Sequence, residues 1–223
     1  MTLWDKGEDT DKDVEAYTVG NDPELDLALV PYDCTASQAH AKTLAKAGLI
    51  TAAEAEALVN ELEQVKELHG KGGFNIQQSQ EDCHTAIEEH LTKKLGETGK
   101  KIHTGRSRND QVLAALRLYE KDELEAVETL QKGLMQALEG QMEKHADTTI
   151  PGYTHTQKAM PTTVAAWLGA FHAAGNDNLQ LLEATKTLID QSPLGSAAGY
   201  GTANLELDNS HTAKEAGFSK AME

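Results

Sequence analysis

Apolar residues along this chain recur mainly at steps of three and four, the spacing of a single helix face. Leu58, Leu62, Val65 and Leu68 make one such stripe. Thr51 precedes it with Glu54 three residues on, the pattern of a reciprocal cap, and Gly70, Gly72 and Gly73 end it. The spacing therefore predicts a helix from Thr51 to about Leu68. Upstream, Leu25 to Ala47 reads as helical, interrupted at Pro31 and closed by Gly48. Asp82 is placed to cap a helix over Cys83 to Leu95. Gln111 to Ala146 is a long pattern free of proline, with Leu116, Tyr119, Val127, Leu130, Leu134 and Leu138 as its expected buried stripe.

Asp147 to Met160 reads as a loop, with Pro161 at the first position of a second long helix that runs to Gln191. That helix carries two adjacent rows at seven-residue steps. One is Trp167, Ala174, Leu181 and Leu188; the other is Leu168, Gly175, Leu182 and Ile189. Doubled rows bury against more than one partner helix, and Ala174 and Gly175 permit close approach. Ser192 to Thr202 is a glycine-rich loop, followed by a helical fragment from about Leu207. No run reads as a strand, and no internal repeat occurs. The expected class is all-α. An N-terminal helical domain spans residues 1–110, and an incomplete central helix-bundle domain spans 111–223. Residues 1–21 are polar and read as a mobile terminus anchored only by Trp4 and Tyr17.

Charge narrows the function classes. Twenty basic side chains against 36 acidic ones give a formal net charge of −16, without a basic stripe. That argues against nucleic acid as a partner, but not against a small anion held by local arginines. No signal pattern and no apolar run of roughly 18 residues appears, so no membrane partner is expected. Cys34 and Cys83 lack metal-type spacing and read as free thiols of a reducing cytoplasm. The glycine-rich loop has no G-x-G-x-x-G spacing. Neither a metal nor a cofactor is expected.

The densest chemistry lies in His103 to Gln111, H-T-G-R-S-R-N-D-Q. It holds no large apolar residue, so core packing does not explain it. Arg106 and Arg108 offer forked donors suited to carboxylates, with Thr104, Ser107 and Asn109 as small neutral donors. Gly105 allows close approach or an unusual backbone angle. Ser107, Asn109 or Asp110 can also cap the helix that follows, and a helix start attracts anions. His155, in Y-T-H-T-Q, lies between two long helices, where a histidine can exchange protons near neutral pH. His84 and Glu88 share a helix face at i, i+4, which alone reads as a solvated pair.

These residues carry a resemblance. H-T-G-R-S-R-N-D-Q, Pro151 to Pro161 (P-G-Y-T-H-T-Q-K-A-M-P), Ser192 to Gly199 (S-P-L-G-S-A-A-G) and Glu81 to Leu91 (E-D-C-H-T-A-I-E-E-H-L) are similar, in order and spacing, to the argininosuccinate lyases of the fumarase/aspartase superfamily. The S-R-N-D-Q form points to that branch, since other branches carry different residues around the shared serine and asparagine. The resemblance implies a central helix bundle of the fumarase/aspartase type and a β-elimination of argininosuccinate to arginine and fumarate. It implies that Ser107, Arg108, Asn109, Thr154 and Gln157 bind substrate, that His155 is the catalytic histidine, and that His84, Thr85, Thr104 and Arg106 are candidate site-lining residues. It also implies a homotetramer whose sites are shared between subunits.

Two departures stand out. The family places a substrate-contacting serine shortly before the first long helix, where this chain has Asp22. The family's G-S-S-x-M-P-x-K run does not occur. The chain is therefore expected to be the N-terminal half of a longer enzyme, inactive alone. The alternatives are another fumarate-releasing lyase of the superfamily, or a non-catalytic, crystallin-like bundle protein.

Overall fold

Thr51 caps the helix that follows it from both directions. Its hydroxyl accepts the Glu54 N–H at 3.2 Å, and the Glu54 carboxylate accepts the Thr51 N–H at 2.8 Å. The computed structural model describes residues 11–222. In chain order their elements are α1 (Lys12–Val19), α2 (Asp22–Leu25), α3 (Val30–Lys46), α4 (Ala52–Gly70), α5 (Cys83–Leu95), α6 (Glu97–Lys100), α7 (Arg108–Lys144), β1 (Thr149–Thr154), β2 (Gln157–Thr163), α8 (Val164–Ile189), β3 (Gln191–Ser192), α9 (Asn209–Ala216) and β4 (Lys220–Ala221). Short 3-10 turns join several of them. The chain divides into two compact units. One holds the described residues up to Tyr119 together with those from Asp190 onward; the other is Glu120–Ile189.

The first unit is built on α3, α4 and α5. Leu58, Leu62 and Val65 of α4 are fully buried with Leu44, Ile87, Leu91 and Ile102, while Leu68 at the end of the stripe is 38% exposed. Pro31 lies in the first turn of α3 rather than inside a helix begun at Leu25. A proline lacks the N–H that an interior position needs, so the expected long helix becomes α2, a 3-10 turn and α3. Gly99 is pressed on α5, where an added Cβ would sit 2.3 Å from the Leu91 carbonyl oxygen. A second cluster joins Ala36 and Ala39 of α3 to Ala114 and Leu118 of α7, Leu194, and Ala213, Ala216 and Phe218 around α9. β3 and β4 pair in parallel at its edge.

The terminal segment differs from the sequence reading in one respect. Asp11 caps α1, and Val19 is buried, while Tyr17 is 89% exposed and anchors nothing. Trp4 lies outside the described residues.

In the second unit, residues expected to form a loop form an antiparallel hairpin instead. β1 pairs with β2 from Thr149↔Thr163 to Thr154↔Gln157, with a bulge between Pro151 and Tyr153. Pro151 and Pro161 face each other across it, so Pro161 does not open α8, which begins at Val164. Prolines are tolerated because both strands of a two-stranded ribbon are edges. The turn is two residues long, His155 at φ 50° and Thr156 at φ 62°. This is the left-handed pair that a tight hairpin requires. Without an Asn-Gly or Asp-Gly signal, and with prolines breaking the alternation, the sequence concealed it.

The stripe expected to be buried on α7 is also open over this unit: Val127, Leu130 and Leu134 are exposed. On α8 the two rows behave differently. Leu168, Gly175, Leu182 and Ile189 are buried or half-buried, with an added Cβ at Gly175 2.2 Å from the Met135 sulfur of α7. Trp167, Leu181 and Leu188 face solvent, with Phe171 beside them. Within one unit a pair of helices covers one face of each and leaves the other uncovered.

Candidate active site

Ser107 stands at the N-terminal boundary of α7, and its hydroxyl accepts the Asn109 N–H at 3.3 Å. Asp110, one turn in, accepts the Ser107 N–H at 2.9 Å, completing a reciprocal cap. Its other oxygen accepts the N–H groups of Gly195 and Ala197 at 3.3 and 2.8 Å. The helix start thereby meets the glycine-rich loop in the same unit. Between them lies a cleft of about 660 Å³ lined by His103, Gly105, Arg106, Ser107, Arg108 and Asn109 on one side and Ala197, Ala198 and Thr202 on the other. Gly105 has φ 66°, close beneath Leu205 and Leu207. Asn109 is exposed, and Ser107 and Arg108 are half-buried.

The two arginines have different surroundings. The Arg106 side chain is 1% exposed and donates to Ser37 Oγ at 2.8 Å and Glu88 Oε1 at 3.3 Å. Arg108 is 17% exposed at its side chain. It donates to Thr85 Oγ1 at 3.2 Å and Gln111 Oε1 at 3.3 Å, with Glu88 at 3.7 Å and Asp82 at 3.9 Å. Arg106 is thus fixed within the protein, while Arg108 is hydrogen-bonded by neutral groups, has Glu88 and Asp82 close by, and lines the cleft. Burial acts to raise the Glu88 carboxyl, but His103, Arg106 and Arg108 outweigh it and hold it below its ordinary range.

Behind this surface lies a buried polar layer. Gln111 Nε2 donates to both oxygens of Asp33, at 3.0 and 3.2 Å, and Asp33 lies 3.3 Å from His84 Nδ1. Burial pushes the Asp33 carboxyl upward, yet His84, Arg106 and Gln111 hold it below the usual value. His84 is raised above its ordinary value, because Asp33 and Asp82 outweigh the effect of burial. Burial, reinforced by Arg106, lowers His40 to about 3, and its Nε2 donates to the Thr104 carbonyl at 2.9 Å.

Arg106, Ser107, Arg108 and Asn109 therefore meet at one cleft. Thr85 orients Arg108 and also lines an adjoining cavity of about 590 Å³ with Glu88 and His103. His84 lies behind, 1% exposed and paired with Asp33, so its shared helix face with Glu88 is not a solvated pair. Thr104 contributes its carbonyl to His40. Asp22 is exposed at the start of α2. Thr154, His155 and Gln157 belong to the second unit, where all three are exposed and His155 occupies the hairpin tip.

Asp33 and the loop-binding role of Asp110 escaped sequence reasoning. The available signal for Asp33 was an acidic residue between Val30 and Cys34 on the inward face of α3. Asp26, Cys83 and His84 bring ligand-type atoms within 4.8 Å of one another. These groups already answer internal partners: Asp26 accepts the Cys83 N–H at 3.1 Å, and His84 faces Asp33.

A lyase family model matches residues 7–219. The argininosuccinate lyase of Thermotoga neapolitana is 50% identical over 220 residues, which is 99% of this chain and 55% of that protein. The argininosuccinate lyase of Sorangium cellulosum is 43% identical over 98% of this chain and 50% of its own length. The chain spans about half the length of the curated relatives it matches. Among solved structures, an EDDS lyase variant with bound fumarate aligns with a TM-score of 0.79 at 28% identity, covering 97% of this chain and 42% of that one.

Proposed function

This chain belongs to the lyase family, within the fumarase/aspartase superfamily, and from that premise we propose that it supplies the N-terminal part of the machinery that cleaves argininosuccinate to arginine and fumarate. The observation that carries the reading is the cleft at the start of α7. There a half-buried arginine, a hydroxyl, an exposed amide and a helix N-terminus converge within one unit. In the proposed reaction a proton leaves the carbon next to a carboxylate, and the C–N bond to the guanidinium breaks. Negative charge builds on that carboxylate. Donors fixed in advance around it lower the barrier, and each is worth roughly 10²–10³ in rate.

In this reading Ser107, Arg108 and Asn109 hold substrate carboxylates, and Arg106 and Thr85 support them. Thr154 and Gln157 add contacts, and His155 exchanges a proton, with the hairpin serving the cleft of another subunit. A homotetramer with shared sites is the assembly this requires. The uncovered row of Trp167, Leu181 and Leu188 on α8 supports it, since such a face is costly in water. No helix of the described residues is long and apolar enough to cross a membrane, and a cytoplasmic setting is part of the proposal.

Fumarate release tests the reading. The chain is assayed alone and after co-expression with the C-terminal half of the Thermotoga neapolitana relative, against argininosuccinate, adenylosuccinate, aspartate and malate. The expected result is release from argininosuccinate by the complemented assembly only. Preference for another substrate would replace the reaction, and no release from any would remove it.

A further inference from the structure

We infer that Asp110 is a positioning residue for the cleft: its carboxylate holds the Gly195–Ala198 backbone as the wall opposite Ser107–Asn109. The inference rests on the reading that this cleft takes the substrate. Asp110 is 3% exposed and makes no contact with solvent that would explain a carboxylate there. It accepts one N–H from its own helix start and two from a loop 85 and 87 residues away. Successive N–H groups converging on one point form an anion-binding concavity. Here the protein's own carboxylate fills it.

The loop needs such a clamp. Its remaining backbone bonds run mostly within itself, from Ser196 to Pro193 and from Gly199 and Gly201 to Ser196. Gly195, Ala197, Gly199, Tyr200 and Gly201 all have positive φ, including two residues with side chains. Left-handed residues outside glycine persist where the surroundings over-determine them. Leu194 buries one end of the loop, and Asp110 fixes the part that reaches the cleft. Filling the concavity from within also directs an incoming anion away from these amides and toward Arg108 and Asn109. Burial raises the Asp110 carboxyl above its ordinary value, and the Ser107 and Ala197 N–H groups, Arg106 and the Gly195 N–H each oppose that rise.

The test is Asp110→Asn, read in two ways. In the folded chain, hydrogen exchange of the peptide covering residues 193–202 is expected to accelerate roughly ten- to a hundredfold, with α3, α4 and α5 unchanged. In the fumarate-releasing assembly, KM for argininosuccinate is expected to rise about tenfold or more, with kcat per folded site nearly unchanged. A merely structural role would lower the active fraction and leave KM alone. Unchanged exchange in the loop would overturn the clamp. Faster exchange with an unchanged KM would overturn the positioning role. If Asp110→Asn does not fold, Asp110→Glu keeps the charge while displacing the oxygens, and the same two outcomes decide. A wild-type assembly that releases no fumarate would retire the substrate reading, and the exchange experiment would still judge the clamp.

Discussion

Gln111 donates one amide nitrogen to both oxygens of Asp33, so a single side chain from the start of α7 satisfies a carboxylate that has no exposure at all. Its own oxygen accepts from Arg108. The buried layer and the cleft arginine are therefore linked through one amide. Removing the carboxylate leaves His84 and Gln111 facing a void. Asp33→Ala is expected to destabilise the fold by about 3–5 kcal/mol, the usual penalty for breaking a buried ionic pair. Urea unfolding at neutral pH measures it.

Arg106 and Arg108 should separate in experiment. Arg106→Ala removes a buried cation from Ser37 and Glu88. Its principal effect should be a stability loss of a few kcal/mol, seen in the denaturation midpoint. Arg108→Ala should lower the midpoint by less than Arg106→Ala, since the Arg108 side chain is 17% exposed against 1% for Arg106. In the complemented assembly it should cut kcat/KM by about 10² or more. The reverse pattern would exchange their roles.

Two buried histidines give stability opposite pH limbs. His40 is lowered to about 3, so between about 3 and its ordinary 6.5 the unfolded chain binds the proton and the folded one does not. Stability from this group therefore rises with pH over that window. His84 is raised, so its contribution is full below 6.5 and fades as pH climbs through the elevated value. Unfolding free energies compared with wild type across pH should show the acid limb flattened in His40→Gln and the alkaline limb flattened in His84→Gln.

The hairpin tip separates chemistry from conformation. Asparagine tolerates the left-handed backbone of residue 155 better than most side chains. His155→Asn should thus keep the helical signal and thermal midpoint while turnover in the assembly falls by about 10²–10⁴. Near-normal turnover would remove His155 as the proton-exchanging group. Thr156→Gly should stabilise by roughly 1 kcal/mol, because a β-branched residue at positive φ is strained.

The start of α4, the start of α5 and the end of α3 were legible because each carried its own punctuation. Thr51 with Glu54, Asp82, and Gly48 are local chemistry, and local chemistry survives whatever packs around it. The run from Arg106 to Asn109 was legible for the opposite reason: nothing apolar competed to explain it. The hairpin was concealed because its turn uses His155 and Thr156 where glycine or asparagine would have announced it. Asp33 was concealed because its partners, His84 and Gln111, lie 51 and 78 residues away, beyond any periodic pattern. The α7 stripe is uncovered at Val127, Leu130 and Leu134, since periodicity marks an apolar face without saying what covers it.

The uncovered row on α8 bears on the life of the molecule in a cell. Trp167, Phe171, Leu181 and Leu188 form a surface that chaperones and proteases treat as unfinished. In the proposed assembly, covering that row would withdraw it from such surveillance, so the abundance of the protein would follow assembly as well as synthesis.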